Sequence, residues 1–379
     1  MPRSPQGTKR IGLLKTLFRN IVAFIIKSIS CAPFKNMENR KKNVIYSLIL
    51  FIAIVGVWLY RKNQVPESIK VDGKTMGTTY HITYFDKENR DFKKPIDSLL
   101  AVVNKSINNY DSTSEVSRFN RSKGGIIIEL PYFFPPVEKS REVFEASNGA
   151  FDPTVMPLVN AWGFGSGEQI NPDSAQVDSI KSFVGFSKIR FTRDSVTKSN
   201  PNIQLDFGGI GQGYGADVIT DFLKSKGVTN MLVELGGEGM AVGKNLMTGK
   251  PWQIGILDPN STYENQFFKA YVSLTDKSFT TSGNYFNYHE IDGKKYSHTI
   301  DPETGFPARR AILSASIFTT DCITADAWGT ACMSMGHEKA IELVKKHPEL
   351  DVLLMYSNPE GKIETFITEG IKPHIKLEP

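Results

Sequence analysis

The sequence predicts an α+β fold, in which one integrated domain of mixed sheets and packed helices follows an N-terminal apolar segment. The 379 residues, 40% of them apolar, suffice for a sizeable core, and a usual domain size of ~100–200 residues allows one large domain or two smaller ones. Strand-like and helix-like segments follow one another from about residue 68 onward, without an internal repeat or a low-complexity linker. We therefore predict a single domain over 68–379.

The charge and the cysteines narrow the function classes. The formal net charge of +5 arises at the N-terminus, because Lys and Arg crowd the first 63 residues. The rest of the chain has no positive excess, so it lacks the basic surface typical of nucleic-acid binding. Cys31, Cys322 and Cys332 form no Cys-x-x-Cys pair, which argues against a disulfide framework and against a zinc site.

Residues 44–60 form a run of uncharged, mostly apolar residues at the short end for a membrane span. The basic segment before this run favours an N-terminal side that stays in the cytoplasm. We therefore predict a cytoplasmic leader over 1–43, a transmembrane signal anchor over 44–60, and a body on the periplasmic side of the inner membrane. Met37 begins a second basic n-region, so the sequence leaves open whether the first 36 residues are an upstream mis-start.

Periodicity orders the elements of the body. Strict alternation of apolar and polar residues predicts strands, and apolar residues three and four positions apart predict helices. The predicted strands cover 78–85, 202–207, 231–237, 252–259, 270–276 and 294–300, and the predicted helices cover 96–110, 138 to about 149, 216–227, 322–336 and 337–349.

The glycine-rich stretch at 208–215 allows three readings. The pattern G-x-G-x-x-A at 211–216 fits the dinucleotide fingerprint, and Glu234 lies near the place of the acid that binds the ribose. Against this, Asp206 would face the pyrophosphate, and the repeated βα units of a doubly wound sheet are missing. The stretch is otherwise a plain turn before a helix, or a close approach of the backbone to a ligand beside Asp206, which accepts hydrogen bonds from a ribose or a flavin ring.

Two further stretches carry residues suited to metal and proton chemistry. In TADAWGT, Asp326 and Thr330 share one helix face, and their hard oxygen atoms suit Mg²⁺. With Thr324 as the N-cap, Asp326 is alternatively a first-turn acid favoured by the helix dipole. In YSHTIDPETG, His298 is either a general base with a pKa near working pH or a packed strand histidine.

Together these stretches resemble the ApbE-type FAD:protein FMN transferases over roughly residues 74–340. The resemblance implies Mg²⁺-dependent transfer of FMN from FAD to a Ser or Thr hydroxyl of an acceptor flavoprotein, a subunit of a membrane redox complex, with release of AMP. The motifs that carry it follow in the order MGTTY, NNYDSTSEVSRFN, GAFDPTVMPLVNAWGFG, LDFGGIGQGYGAD, VELGGEGMAVG, TSGNYFNY, YSHTIDPETG and TADAWGTA.

The resemblance also implies the roles of individual residues. His298 would take the proton from the acceptor hydroxyl. Asp326 and Thr330 would hold Mg²⁺, together with main-chain oxygens of Gly209 and Gly329. Contacts with the flavin and the adenosine would come from Met76, Tyr110, Ala150, Phe151, Asp152, Asp206, Gln212 and Ile300.

The chain departs from the family pattern in two places. Gln212 stands where the family often has Lys, and ELGGE at 234–238 stands where Asn-Leu-Gly-Gly-Asp and a following basic residue are usual. The lower positive charge puts the turnover rate and the nucleotide preference in question, more than the fold or the metal site. Two other functions stay open: an FAD-binding carrier without transfer activity, and a Rossmann-type oxidoreductase.

Overall fold

The computed structural model describes residues 39–62, 67–165, 169–262, 265–283, 288–291, 294–297, 299–308 and 312–378. The chain divides into two units between Val65 and Pro66. The described part of the first unit is one helix, and all other described elements belong to the second. The prediction of one integrated α+β domain after an N-terminal segment is therefore confirmed.

Helix α1 (Asn39–Lys62) contains the apolar run predicted at 44–60. Its large apolar side chains are mostly exposed, with Leu50, Phe51 and Val44 at 62%, 63% and 64%. Among the residues that the structure describes, no helix is both long and apolar enough to cross a membrane. The transmembrane anchor is therefore not confirmed, and it stays a prediction.

The main sheet of the body has eight strands, and every neighbouring pair in it is antiparallel. Dinucleotide-binding folds need a mostly parallel sheet, so the Rossmann reading of the glycine-rich stretch is wrong. In spatial order the strands are β1 (Ser68–Thr75), β2 (Thr78–Phe85), β6 (Met231–Leu235), β7 (Glu238–Val242), β10 (Lys277–Gly283), β13 (Ile312–Phe318), β14 (Asp351–Ser357) and β15 (Ile363–Ile367).

Three smaller antiparallel sheets complete the described strands. They contain none of the residues predicted for the site. Their strands are β3 (Gly125–Ile127), β4 (Ile189–Phe191) and β5 (Ser195–Lys198); β8 (Trp252–Leu257), β9 (Phe268–Leu274) and β16 (Ile375–Leu377); and the hairpin of β11 (Tyr288–Ile291) and β12 (Lys294–Ser297).

Eight described helices pack around these sheets. They are α2 (Lys93–Ile107), α3 (Glu115–Arg121), α4 (Phe134–Ala146), α5 (Met156–Ala161), α6 (Ser174–Lys181), α7 (Gly211–Ser225), α8 (Cys322–Met335) and α9 (His337–Val344).

Helix α8 lies at the centre of the body and contacts α7, β10 and β13. It is buried on nearly all sides, as expected for a helix whose residues are small or apolar all round. Its two cysteines, Cys322 and Cys332, are buried and free, in agreement with the prediction that they form no disulfide. Any polar side chain on this helix therefore needs a partner inside the protein or a ligand.

The strand predicted over 202–207 is wrong, because this segment joins no sheet. Two side-chain amides take the place of a neighbouring strand. The Asn120 amide donates to the Leu205 carbonyl at 2.9 Å and accepts from the Leu205 N–H at 2.7 Å, and Asn109 donates to the same carbonyl at 2.7 Å. The alternating sequence pattern does not reveal whether the partner is a strand or a side chain.

Helix α7 begins at Gly211, before the predicted start at Ala216, so half of the glycine-rich stretch is helical. A Cβ atom at Gly213 would lie 2.4 Å from the carbonyl oxygen of Cys322 and 2.7 Å from Cβ of Asp326. Glycine is therefore required for the close approach of α7 to α8. The reading as a turn before a helix is confirmed for residues 208–210, and Gly213 in addition serves a contact between two helices.

Candidate active site

A cavity of about 470 Å³ brings together most of the residues predicted for the site. This volume lies within the range of small-molecule sites, ~300–1,000 Å³. The two predicted classes of residue, flavin contacts and metal ligands, therefore face one space. The predicted residues that line it are Tyr110, Ala150, Phe151, Asp152, Asp206, Gly209, Gln212, Ile300, Asp326 and Thr330.

Three predicted residues lie elsewhere. Met76, in the turn between β1 and β2, lines an adjoining cavity of about 220 Å³ that Asp206 and Gln212 also border. Gly329 does not line the main cavity, and a Cβ atom there would come within 2.6 Å of Oγ of Ser282. His298 lies outside the described residues, although Thr299 and Ile300, which follow it, line the cavity.

The position of Asp326 in helix α8 depends on where that helix begins. The N-cap is Asp321, whose Oδ1 accepts from the Thr324 N–H at 2.9 Å, so the prediction of Thr324 as the N-cap is wrong. The helix therefore starts three residues earlier than a Thr324 cap implies, and Asp326 lies beyond its first turn. A first-turn acid favoured by the helix dipole is thus not what Asp326 represents.

The Asp326 carboxyl is 4% exposed and borders the cavity. Its Oδ2 accepts from the Gly213 N–H at 2.9 Å, the contact that the missing Cβ of Gly213 makes possible. Burial raises the pKa of Asp326 to about 7, and the Gly213 hydrogen bond opposes this rise. A nearby cation would favour the ionised form.

Thr330 and Gly209 add two further oxygen atoms beside Asp326. The Thr330 hydroxyl donates to the Gly209 carbonyl at 3.2 Å. Gly209 is also a glycine of necessity, because a Cβ atom there would lie 2.6 Å from Oγ1 of Thr330. A carboxylate, a hydroxyl and a carbonyl are hard oxygen ligands, and this donor set fits Mg²⁺.

The sequence reasoning assigned no role to Glu238, the first residue of β7. Glu238 borders the same cavity and is 6% exposed. Its Oε1 accepts a long hydrogen bond, 3.4 Å, from Thr280, and its Oε2 has no hydrogen-bond partner among the described residues. Burial, and after it the charge of Asp326, raise the pKa of Glu238 well above its usual value. The departure ELGGE was the only sequence signal for it.

No group of three or more His, Cys, Asp or Glu side chains suited to a metal occurs in the described part of the chain. A cation bound beside Asp326 and Glu238 would therefore also need oxygen atoms from Thr330, the main chain, water or a phosphate. This is the usual condition of a Mg²⁺ site that keeps open positions for its substrate.

Two further ordered carboxylates line the cavity. Oδ1 of Asp152 accepts from the N–H of Thr154 at 2.8 Å and from its hydroxyl at 2.6 Å. Burial raises the pKa of Asp152 to about 6. Oδ1 of Asp206 accepts from the Gly208 N–H at 2.8 Å, and its own N–H donates to the Pro153 carbonyl at 2.7 Å. The GAFDPT and LDFGG segments are thereby joined.

Two aromatic residues at the cavity differ strongly in exposure. Tyr110 has 77% of its surface exposed, whereas Phe151 is 3% exposed. One aromatic side chain thus stands free at the cavity and another is fixed in the core beside it. Such an arrangement can receive a planar ring without rebuilding the core.

The chain is similar to known proteins over most of its length. Residues 76–354 match the ApbE family. The FAD:protein FMN transferase of Vibrio cholerae is 31% identical over 332 residues, 86% of this chain and 98% of the relative, and that of Haemophilus influenzae is 33% identical over 322 residues, 82% and 91%.

Solved structures give the same result. The flavin transferase ApbE from Vibrio cholerae superposes with a TM-score of 0.73 at 31% identity, covering 81% of this chain and 99% of the other. The apo form of the Pseudomonas stutzeri flavinyl transferase ApbE superposes with a TM-score of 0.72 at 30% identity, covering 82% and 98%. The chain therefore belongs to the ApbE family.

Proposed function

We propose that this chain is an FAD:protein FMN transferase, which moves FMN from FAD onto an acceptor protein. The observation that carries the proposal is the meeting of the Asp326, Thr330 and Gly209 oxygens with the Asp152 and Asp206 carboxylates in one cavity. The relatives named FAD:protein FMN transferase cover nearly the whole body at about 30% identity, which supports the same activity here.

Mg²⁺, when bound, would neutralise charge on the pyrophosphate during phosphoryl transfer. Asp326 and Thr330 would hold it with the Gly209 carbonyl, and Gly329 would keep α8 close enough to β10 to present them. Asp152 and Asp206 would accept hydrogen bonds from the ribose or the flavin ring, and Tyr110 would cover a ring face. The transfer forms a bond from the acceptor oxygen to the FMN phosphorus, breaks the bond between the two phosphates, and releases AMP.

The acceptor hydroxyl must lose a proton when its oxygen bonds to phosphorus. His298 is the residue we assign to this step, because imidazole titrates near neutral pH and its chain neighbours Thr299 and Ile300 line the cavity. Gln212, also at the cavity, brings no charge to the phosphates, so positioning and the metal would supply most of the stabilisation.

The transfer reaction separates this proposal from an FAD carrier. We would incubate the soluble body with FAD, Mg²⁺ and a flavoprotein subunit of a membrane redox complex, and measure AMP and acid-stable flavin on the acceptor. A transferase yields both in equal amounts, and chelation of Mg²⁺ stops both. Tight FAD binding with neither product would identify a carrier and sink the proposal.

The acceptor is expected on the outer face of the cytoplasmic membrane, with α1 as the attachment. Support comes from the basic residues before 44–60 and from the exposed apolar side chains of α1. Protease added to spheroplasts should digest the body. Protection of the body in intact spheroplasts would place it in the cytoplasm and redirect the search for acceptors there.

A further inference from the structure

Glu238 poses a problem that the flavin contacts leave unsolved. A carboxyl group that is 6% exposed, with one oxygen atom that has no partner among the described residues, costs free energy unless something binds it. Its Oε1 accepts a long hydrogen bond, 3.4 Å, from the Thr280 hydroxyl. In the described part of the chain, no Lys or Arg pairs with it; the other charges acting on it are the carboxylates of Asp326 and Glu234.

The position of Glu238 rules out a simple structural explanation. The residue begins β7, immediately after the turn of Gly236 and Gly237, and both glycines have positive φ values, 72° and 111°. Any residue type that suits a buried strand end would satisfy the sheet, and apolar ones would do so without an unpaired oxygen. Instead the turn brings a second acid to the cavity that holds Asp326.

Two buried carboxylates that border one cavity repel each other without a cation and attract one strongly in a low-dielectric surrounding. The unpartnered oxygen of Glu238 indicates a ligand, and the oxygen atoms of Asp326 and Thr330 at the same cavity indicate one independently. We propose that Glu238 is a second carboxylate ligand of the divalent-cation site, joined to Asp326, Thr330 and the Gly209 carbonyl. This inference rests on the proposed function for the identity of the site.

A second acid changes when the cation binds. One carboxylate with a hydroxyl and a carbonyl would depend on the FAD pyrophosphate to complete the site. Two carboxylates supply enough charge for a divalent cation to bind before FAD. The proposed order is therefore cation first and FAD second, and the metal would also offset the low positive charge left by Gln212.

Direct metal titration of the full chain without FAD tests this inference. Mn²⁺ prefers the same octahedral oxygen sites as Mg²⁺ and is followed by its electron paramagnetic resonance signal. We expect wild-type protein to bind about one Mn²⁺ per chain and added Mg²⁺ to displace it. Glu238→Gln, which keeps the size and the Thr280 contact, should weaken Mn²⁺ binding by ~10–100-fold, as for loss of a metal-site partner.

Glu234→Gln is the matched control. Glu234 lies on the same hairpin but outside the cavity lining, and it accepts from the Gly237 N–H at 2.7 Å. Gln keeps the oxygen atom that accepts from Gly237, and the side chain does not border the cavity, so this substitution should leave Mn²⁺ affinity within about twofold. Circular dichroism would confirm that both variants are folded, and FAD affinity in chelator should be the same for both.

Two results would overturn the inference. Wild-type Mn²⁺ affinity in Glu238→Gln would make Glu238 a buried structural acid, and no Mn²⁺ binding to the wild type without FAD would mean that the substrate completes the site. Neither result depends on turnover. A chain that binds Mn²⁺ through Glu238 but never releases AMP would instead contradict the proposed function and leave the metal site standing.

Discussion

Carboxylates contact helix α8 at two places in its first half, and their oxygen atoms are paired differently at the two places. At its N-terminus, the two oxygen atoms of Asp217 accept from the N–H groups of Cys322 at 2.9 Å and Ile323 at 2.8 Å. One turn further on, Asp326 uses one oxygen for the Gly213 N–H, and Glu238 beside it keeps one oxygen without a described partner. The same helix thus contacts an acid whose two oxygen atoms both have partners, and it carries one member of a pair with an unpartnered oxygen atom.

This difference distinguishes an acid that stabilises the fold from acids that are available to bind a ligand. Helix N-termini offer N–H groups that have no partner within the helix, so an acid there has a structural reason to exist. The middle of a helix offers none, and an unsatisfied buried group costs about 1–3 kcal/mol. We infer that the pair of Asp326 and Glu238 is retained for a ligand, whereas Asp217 is retained for the fold. The following changes test that distinction.

The largest effect is expected at the pair of Asp326 and Glu238. Asp326→Ala should lower the rate of AMP release by roughly 10³-fold or more, because bound metal ions contribute several kcal/mol to charge stabilisation. FAD should still bind weakly, since its other proposed contacts come from other residues. Titration of the rate against Mg²⁺ measures the effect. A variant with wild-type rate and metal dependence would remove Asp326 from the site.

The next effect concerns the proton rather than the metal. His298→Ala should lower transfer by roughly 10²–10⁴-fold, the usual contribution of a positioned base, while Mn²⁺ and FAD affinities stay near wild type. The residual rate should lose any dependence on a group that titrates near ~6.5. Rates across pH 5.5–8.5 and equilibrium FAD binding provide the measurement.

Other outcomes for His298 are informative. Poor FAD binding with a normal rate at saturation would make the histidine a ligand contact. Survival of both rate and affinity would make it a strand residue without a chemical role.

At Asp217, whose two oxygen atoms both accept hydrogen bonds, the expected effect is on stability alone. Asp217→Ala leaves two N–H groups at the start of α8 without an acceptor and should lower the free energy of unfolding by about 1–3 kcal/mol. Mn²⁺ affinity of the folded fraction should not change. Urea unfolding followed by circular dichroism gives the first quantity. A loss of metal binding equal to that of Asp326→Ala would erase the distinction between the two places.

The last expected effect is a pH dependence of the contribution that Asp217 makes to stability. Burial raises the pKa of Asp217 to about 7, so the folded protein keeps its proton at pH values where the unfolded chain has released it. The contribution of Asp217 to stability must therefore fall as pH rises from about 4 towards 7. Asp217→Asn cannot titrate, and its stability relative to wild type should increase over that window. A constant difference between the two from pH 4 to 8 would contradict the raised pKa.

Much of the site could be predicted from the sequence, because helical spacing already places Asp326 and Thr330 on one face. The ordered motifs supplied the rest, and ten residues named in advance border one cavity. Their roles remain predictions. Alternation likewise placed β2 and β6 correctly, since those strands have one buried face and their side chains record it.

The failures share a physical cause, which is partners distant in the chain. The segment at 202–207 looks like a strand, but the amides of Asn109 and Asn120 occupy its edge. Thr324 is a good cap by type, yet Asp321 is better placed. Glu238 looked like a departure from a pattern until the fold brought it to the cavity of Asp326. No local pattern contains these contacts.

The absent side chain of Gly213 limits how this protein can evolve. Where the position of a reactive group depends on neighbouring side chains, selection can adjust it by small substitutions. Here the Asp326 carboxyl is located by direct contact between two backbones, with the Cys322 carbonyl 2.4 Å from where a methyl group would begin. Even alanine would force the helices apart. Descendants of this chain can therefore explore new acceptors and new surfaces, while position 213 stays closed to variation.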